Sequence, residues 1–181
     1  MRIVVLRVGC VDLGVVRGIQ VGLCEVFCGT VCEVFGQVMV MPRDAYNVVR
    51  RQFLSSSILS RIWKCVESCG VDRVLGVTDV DLYVPRLNFV FGEAECLGRA
   101  AIISLCRLRS EFYGDSSDSG LLIERSVKEA VHEVGHTLGL VHCQDPLCVM
   151  FFSNNIDDTD RKRSVFCEKC HGLVVECLKR V

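Results

Sequence analysis

Residues 131–150 read V-H-E-V-G-H-T-L-G-L-V-H-C-Q-D-P-L-C-V-M, and no other stretch limits so tightly what this chain can fold into. His132, Glu133 and His136 form H-E-x-x-H, which Gly139 and His142 extend to H-E-x-x-H-x-x-G-x-x-H. On a helix with about 3.6 residues per turn, positions 132 and 136 fall about 40° apart around the axis. Both imidazoles can then reach one metal ion from the same side, one turn apart. Glu133 cannot share that direction well, but it can reach a water in the metal's open position and take its proton. Gly139 permits the left-handed backbone that ends a helix, so His142 can return as a third ligand from a different direction. Three neutral nitrogens and one open position describe a catalytic zinc site, not a closed structural one. Three of the chain's four histidines sit at these positions, a concentration that an ordinary amphipathic helix leaves unexplained.

Thirteen cysteines are an odd number, and no export signal precedes them, so metal ligation and free thiols fit better than a secreted disulfide framework. Cys143 and Cys148 bracket a turn around Asp145-Pro146, and Cys167 and Cys170 form C-x-x-C. Two close pairs of thiolates suit a tetrahedral structural zinc, at about 2.3 Å per Zn–S bond. A redox disulfide between Cys167 and Cys170 is the competitor, disfavoured by its place near the C-terminus rather than after a first strand. His171 adjoins Cys170, but four cysteines already close the sphere. Because Cys143 directly follows His142, a zinc held there would pin the loop presenting that histidine. It would also fix Met150, whose thioether could pack beneath the three histidines. Cys10, Cys24, Cys28, Cys32, Cys65, Cys69, Cys96 and Cys106 lie among apolar neighbours and are expected in the core. Cys177 is expected to pack on a terminal helix.

Half of the 181 residues are hydrophobic, enough for one domain with at most a small appendage. A formal charge of −1 with scattered basic residues argues against nucleic-acid binding. No apolar run is long enough to span a membrane, and the run 3–8, broken by Arg7, is too short for a secretory signal core. The chain is therefore expected in the cytoplasm, as a monomer. Residues 2–8 predict a strand buried on both faces, 11–27 a covering helix, and 31–41 a second strand with a bulge at Gly36. Ser57 is the expected cap of a helix carrying Ile58, Leu59, Ile62 and Trp63. Residues 72–77, 88–91 and 100–108 predict further strands, and 112–120 a polar loop. The metal-binding helix is expected over 121–138, with Arg125 and Glu129 four apart on its surface. Asp79 and Asp81 fall in a turn expected to be solvated rather than to hold calcium.

With both motifs in view, the chain resembles the archaemetzincins, a branch of the metzincin zinc peptidases. The resemblance rests on H-E-V-G-H-T-L-G-L-V-H-C at 132–143, C-V-M at 148–150 and C-E-K-C at 167–170. It extends to A-Y-N-V-V-R-R-Q-F at 45–53, T-D-V-D-L-Y at 78–83 and F-V-F-G-E-A at 89–94. It implies an α/β (α+β) fold: a metzincin-like twisted mixed sheet with a backing helix and an active-site helix over 1–142. A small C-terminal subdomain over 143–181 would be stapled by zinc. By the family pattern His132, His136 and His142 bind catalytic zinc, Glu133 is the general base, and Met150 sits in the Met-turn. Cys143, Cys148, Cys167 and Cys170 bind structural zinc, making two zinc ions in all. Some metzincins place a tyrosine just after the methionine; here Phe151 and Phe152 follow, which leaves oxyanion stabilisation mainly to zinc. The expected function is a zinc metallopeptidase that hydrolyses peptide bonds with a zinc-bound water and a glutamate base. Its substrate, a peptide or protein, would pair with an edge strand at Phe89, Val90 and Phe91. The alternative is a zinc-containing protein that binds peptides or partners with little turnover.

Overall fold

Successive side chains of the strand Arg2–Val8 (β1) point to opposite faces of a sheet, and helices cover both. Ile3 and Val5 join Leu75, Val77, Ala101 and Ile103 in one core, closed by the helices Leu13–Val26 (α1) and Ser119–Thr137 (α3). Val4, Leu6 and Val8 join Val74, Ala100 and Ile102 in the other, closed by Ile58, Leu59 and Ile62 of the helix Ser55–Ile62 (α2). The computed structural model describes residues 1–179, so the last two residues of the part expected over 143–181 lie outside it.

The main sheet adds Val31–Met39 (β2), Arg73–Thr78 (β5), Gly92–Ala94 (β7) and Ala100–Ser104 (β8) to β1, in the order β2-β1-β5-β8-β7. β2, β1, β5 and β8 run parallel, and β7 closes the edge antiparallel to β8. A register shift opposite β1 between Val5 and Arg7 places a bulge in β2 across Gly36. A small second sheet pairs Tyr46–Asn47 (β3), Gln52–Leu54 (β4) and Leu82–Tyr83 (β6). Beyond α3 come two short helices, Ile156–Arg161 (α4) and Glu168–Leu178 (α5). Phe166, just before α5, sets its ring edge-on to Phe27 with centroids 5.6 Å apart, so the C-terminal segment packs into the same core as α1. Among the described residues no helix is long and apolar enough to cross a membrane.

Several local expectations change. α2 begins at Ser55, not after Ser57, and no side chain caps it; the buried Ser55 hydroxyl instead lies within hydrogen-bond reach of the Glu93 carboxylate and the Tyr83 carbonyl. Of the eight cysteines expected in the core, only Cys32 is buried; Cys10, Cys28, Cys69 and Cys96 are exposed, and Cys24, Cys65 and Cys106 are half-buried. Asp79 and Asp81 are half-buried and paired: each accepts two hydrogen bonds from one guanidinium, Arg109 and Arg107 respectively. Arg125 and Glu129 do not form a surface pair. Both are buried, and they pair instead with Asp160 and Lys162. Residues 88–91 are not a regular strand. Val90 makes one antiparallel bridge to Leu82, and the edge strand proper starts at Gly92.

Candidate active site

α3 is set in place by Asp118, whose side chain accepts from the Leu121 N–H at its first turn. The helix buries one face in the core and carries His132 and Glu133 into a cleft, with His136 one turn beyond His132. His132 is 4% exposed. Its Nδ1 lies 2.8 Å from the Val149 carbonyl, and Nδ1 of His136 lies 2.7 Å from the Leu140 carbonyl. A carbonyl can only accept, so each Nδ1 carries the proton and each Nε2 keeps a bare lone pair. Those two Nε2 atoms stand 3.0 Å apart. Two lone pairs facing each other at that distance repel unless a cation lies between them. Two Zn–N bonds of about 2.0–2.1 Å at a tetrahedral angle separate their nitrogens by about 3.3 Å, close to what is seen.

Gly139, at φ +91°, breaks the helix and turns the chain, and the exposed residues Val141 and His142 follow, bringing His142 back. Ligand atoms of His132, His136 and His142 all lie within 4.8 Å of one another. The Phe152 ring packs on His142 with centroids 4.8 Å apart. Burial is the main reason all three imidazoles hold protons less readily than usual; the Lys162 ammonium adds to it in each, and neighbouring rings add to it for His132 and His142. Three neutral, converging imidazoles suit zinc and could hold it.

Glu133 is 5% exposed and lines the same cleft of about 210 Å³ as His132, Phe89, Phe91 and Phe152. Burial pushes its carboxyl well up, and the negative charge of Glu129 adds to that while Lys162 opposes it. A Cβ built at Gly92 would lie 2.6 Å from both Cγ and Oε1 of Glu133, so only glycine leaves that carboxylate room against β7. One turn earlier, Oε1 of Glu129 takes the Lys162 ammonium at 3.0 Å and the Thr159 hydroxyl at 3.0 Å. Met150 is fully buried, its sulfur against α3 where a Cβ on Gly135 would come within 2.6 Å of it.

Cys143, Cys148, Cys167 and Cys170 form a second cluster, with all four sulfurs within 4.8 Å of one another and the Cys143 and Cys167 sulfurs 3.8 Å apart. That is far beyond a disulfide bond, and it matches the spacing of about 3.8 Å between sulfurs of a tetrahedral zinc site. Cys167 caps the start of α5, and its thiol is shifted down chiefly by the Cys170 backbone N–H. A C-x-x-C at a helix start is also a redox geometry. Here the second pair of sulfurs beside it makes a four-thiolate metal site the better fit. The Cys143 N–H donates to the Met150 carbonyl at 2.9 Å, tying the cysteine turn to Met150 directly. His171 is outside this cluster.

Lys162, Thr159 and Gly92 carry no signal as functional residues in the sequence, and Glu129 is expected there only as a surface partner of Arg125. A signal for Glu129 existed: Arg125, Glu129, His132, Glu133 and His136 form a polar stripe at helical spacing that extends the metal motif two turns upstream. Nothing marks Lys162, which sits in the charged run D-D-T-D-R-K-R.

Comparison with known proteins places the chain in a family and matches its fold. The sequence model for peptidase family M54 matches residues 29–176. The Archaemetzincin of Methanocaldococcus jannaschii is 47% identical over 170 residues, covering 94% of this chain and 90% of its own. The crystal structure of Archaemetzincin from Methanopyrus kandleri superposes with a TM-score of 0.82 at 36% identity, covering 99% of this chain and 96% of that one. A zinc-dependent peptidase from Methanocorpusculum labreanum superposes with a TM-score of 0.84 at 31% identity, covering 95% and 99%.

Proposed function

This chain belongs to peptidase family M54, the archaemetzincins, and is a zinc metallopeptidase; from that premise we propose which of its residues hold the metal and which move the proton. His132 and His136 hold the catalytic zinc through Nε2, and His142 completes the set. Zinc, when bound, supplies a Lewis acid that polarises the scissile carbonyl and acidifies water. Glu133 is the general base. Its buried carboxylate has a high proton affinity, takes a proton from the attacking water and passes one to the leaving amide nitrogen. The Lys162 ammonium holds Glu129 in an ion pair, which limits the repulsion that a second carboxylate one turn away exerts on the base. Cys143, Cys148, Cys167 and Cys170 hold a second, structural zinc that fixes the turn beyond His142.

A peptide substrate lies along the lip at Phe89, Val90 and Phe91 and pairs with it as an added strand. No tyrosine reaches the site from just after Met150, because Phe152 occupies that place against His142. The observation that carries this reading is the pair of Nε2 lone pairs facing each other at 3.0 Å, one of them on His132, which lines the same cleft as the buried Glu133 carboxylate. Its test compares wild type with Glu133→Ala, both loaded with zinc, on a peptide library read by mass spectrometry. The expected result is full metal in both and cleavage by the wild type alone. Equal cleavage would remove Glu133 from the mechanism.

A further inference from the structure

Segments 45–53 and 78–83 contribute no residue to the histidine or cysteine cluster, yet they meet directly behind the lip of the cleft. Nη2 of Arg50 donates to the carbonyls of Leu87 and Asn88 at 2.8 and 2.9 Å. Nε2 of Gln52 donates to the same Asn88 carbonyl at 2.9 Å and to Asp81 at 3.0 Å. Nε of Arg50 donates to Oε1 of Gln52 at 2.9 Å, which fixes the way the amide faces. Asp81 is gripped by Arg107 at 2.7 and 2.8 Å, and that guanidinium lies 4.3 Å from the centre of the Phe89 ring. One connected chain of charge-assisted bonds therefore holds both the backbone at 87–88 and the Phe89 side chain.

The far end of the lip is held by the core, where Phe91 is buried and Phe89 sets its ring edge-on to it with centroids 5.1 Å apart. The Val90 N–H donates to the Leu82 carbonyl at 3.0 Å, and the Phe91 carbonyl accepts from the Ser104 N–H at 2.8 Å. The backbone N–H and carbonyl of Phe89, between these points and the Arg50 contacts, make no hydrogen bond among the described residues. An unpaired residue at a strand-like edge is available to pair with another extended chain, provided its conformation is already fixed.

We propose that Arg50 and Gln52 are positioning residues for peptide binding: by holding the Leu87 and Asn88 carbonyls they keep Phe89 extended and open to the substrate backbone. The proposal rests on the peptidase reading, and it gives the β3–β4 hairpin a role in that site. The ordering cost of the lip is met within the fold, so the substrate does not have to supply it. Arg50 is exposed and touches neither the histidines nor Glu133, so its effect falls on the extended substrate and not on the metal.

The test uses the zinc-loaded full chain and two probes, acetohydroxamate and a tripeptide hydroxamate. The first engages only the metal, and the second also lays a backbone along the lip. The affinity gained by the tripeptide extension is expected to shrink about tenfold in Arg50→Met, with acetohydroxamate affinity unchanged. Gln52→Met should act in the same direction, and Arg50→Lys should restore part of the gain. An unchanged gain in both methionine variants overturns the proposal. Loss of both probes' binding in those variants assigns Arg50 and Gln52 to general support of the fold and also overturns it. Failure of acetohydroxamate to bind the wild type sinks the peptidase reading and the proposal with it.

Discussion

At Gly92 the absence of one methyl group decides where Glu133 can sit. Adding it in Gly92→Ala forces the carboxylate and β7 apart, since the new Cβ would lie 2.6 Å from Oε1 of Glu133 and 2.7 Å from the Ile102 carbonyl of the neighbouring strand. A displacement of that kind is expected to lower kcat about 100-fold with zinc content unchanged, as read by steady-state kinetics and metal analysis. Undiminished turnover would mean that the position of Glu133 does not matter. The buried pair of Lys162 and Glu129, with side chains 0% and 4% exposed, makes a second prediction. Lys162→Met strands a buried carboxylate and should cost about 3–5 kcal/mol in urea unfolding at fixed zinc. The double change Glu129→Leu with Lys162→Met should recover much of that, and a cycle with no such recovery would show that the two do not act as a pair. These residues differ in how well the sequence announces them. The histidine spacing follows from helix geometry, so their convergence is legible in the chain. Gly92 and Lys162 matter only through a neighbour distant in sequence, and that neighbour is invisible before folding.

Among the elements, α3 and the cysteine turn divide the work of presenting the histidines. α3 carries two, and the turn between Cys143 and Cys148 follows directly on the third. Cys148→Ser loosens that turn and is expected to weaken zinc at the histidine site about tenfold or more, measured by chelator competition. Unchanged affinity there would separate the two clusters. Helix and strand types are legible from periodicity, as in β1 and α1, because side-chain alternation is local. Burial of individual cysteines is not. Cys28 lies past the end of α1, and Cys96 falls in the turn between β7 and β8. A thiol reagent should accordingly label Cys10, Cys28, Cys69 and Cys96 quickly in the native zinc-loaded protein and leave Cys32, Cys148 and Cys170 untouched. Slow labelling at all four exposed positions would contradict the packing described here. The strand expected at Phe89 to Phe91 fails for a similar reason. Its apolar residues suit a strand, but Val90 makes only a single bridge to Leu82, and the Leu87 and Asn88 carbonyls just before the segment are taken by Arg50 and Gln52 from another sheet.

For the whole molecule, the parallel sheet with one antiparallel edge strand puts β7 and its lip across from α3, and the cleft lies between them. The mixed α/β architecture was readable from the order of strands and helices. The order of strands in the sheet was not, because β8 and β7 join it by contacts that no local pattern encodes. The account as a whole requires one zinc on three imidazoles with a fourth position free of protein ligands, and another zinc on four thiolates. The most direct measurement is anomalous diffraction at the zinc absorption edge from crystals of the zinc-loaded protein. It should give two peaks per chain, one about 2.0–2.1 Å from ring nitrogens of His132, His136 and His142, the other about 2.3 Å from the sulfurs of Cys143, Cys148, Cys167 and Cys170. A histidine ring turned away from the first peak, or a protein thiolate in its fourth position, would contradict it.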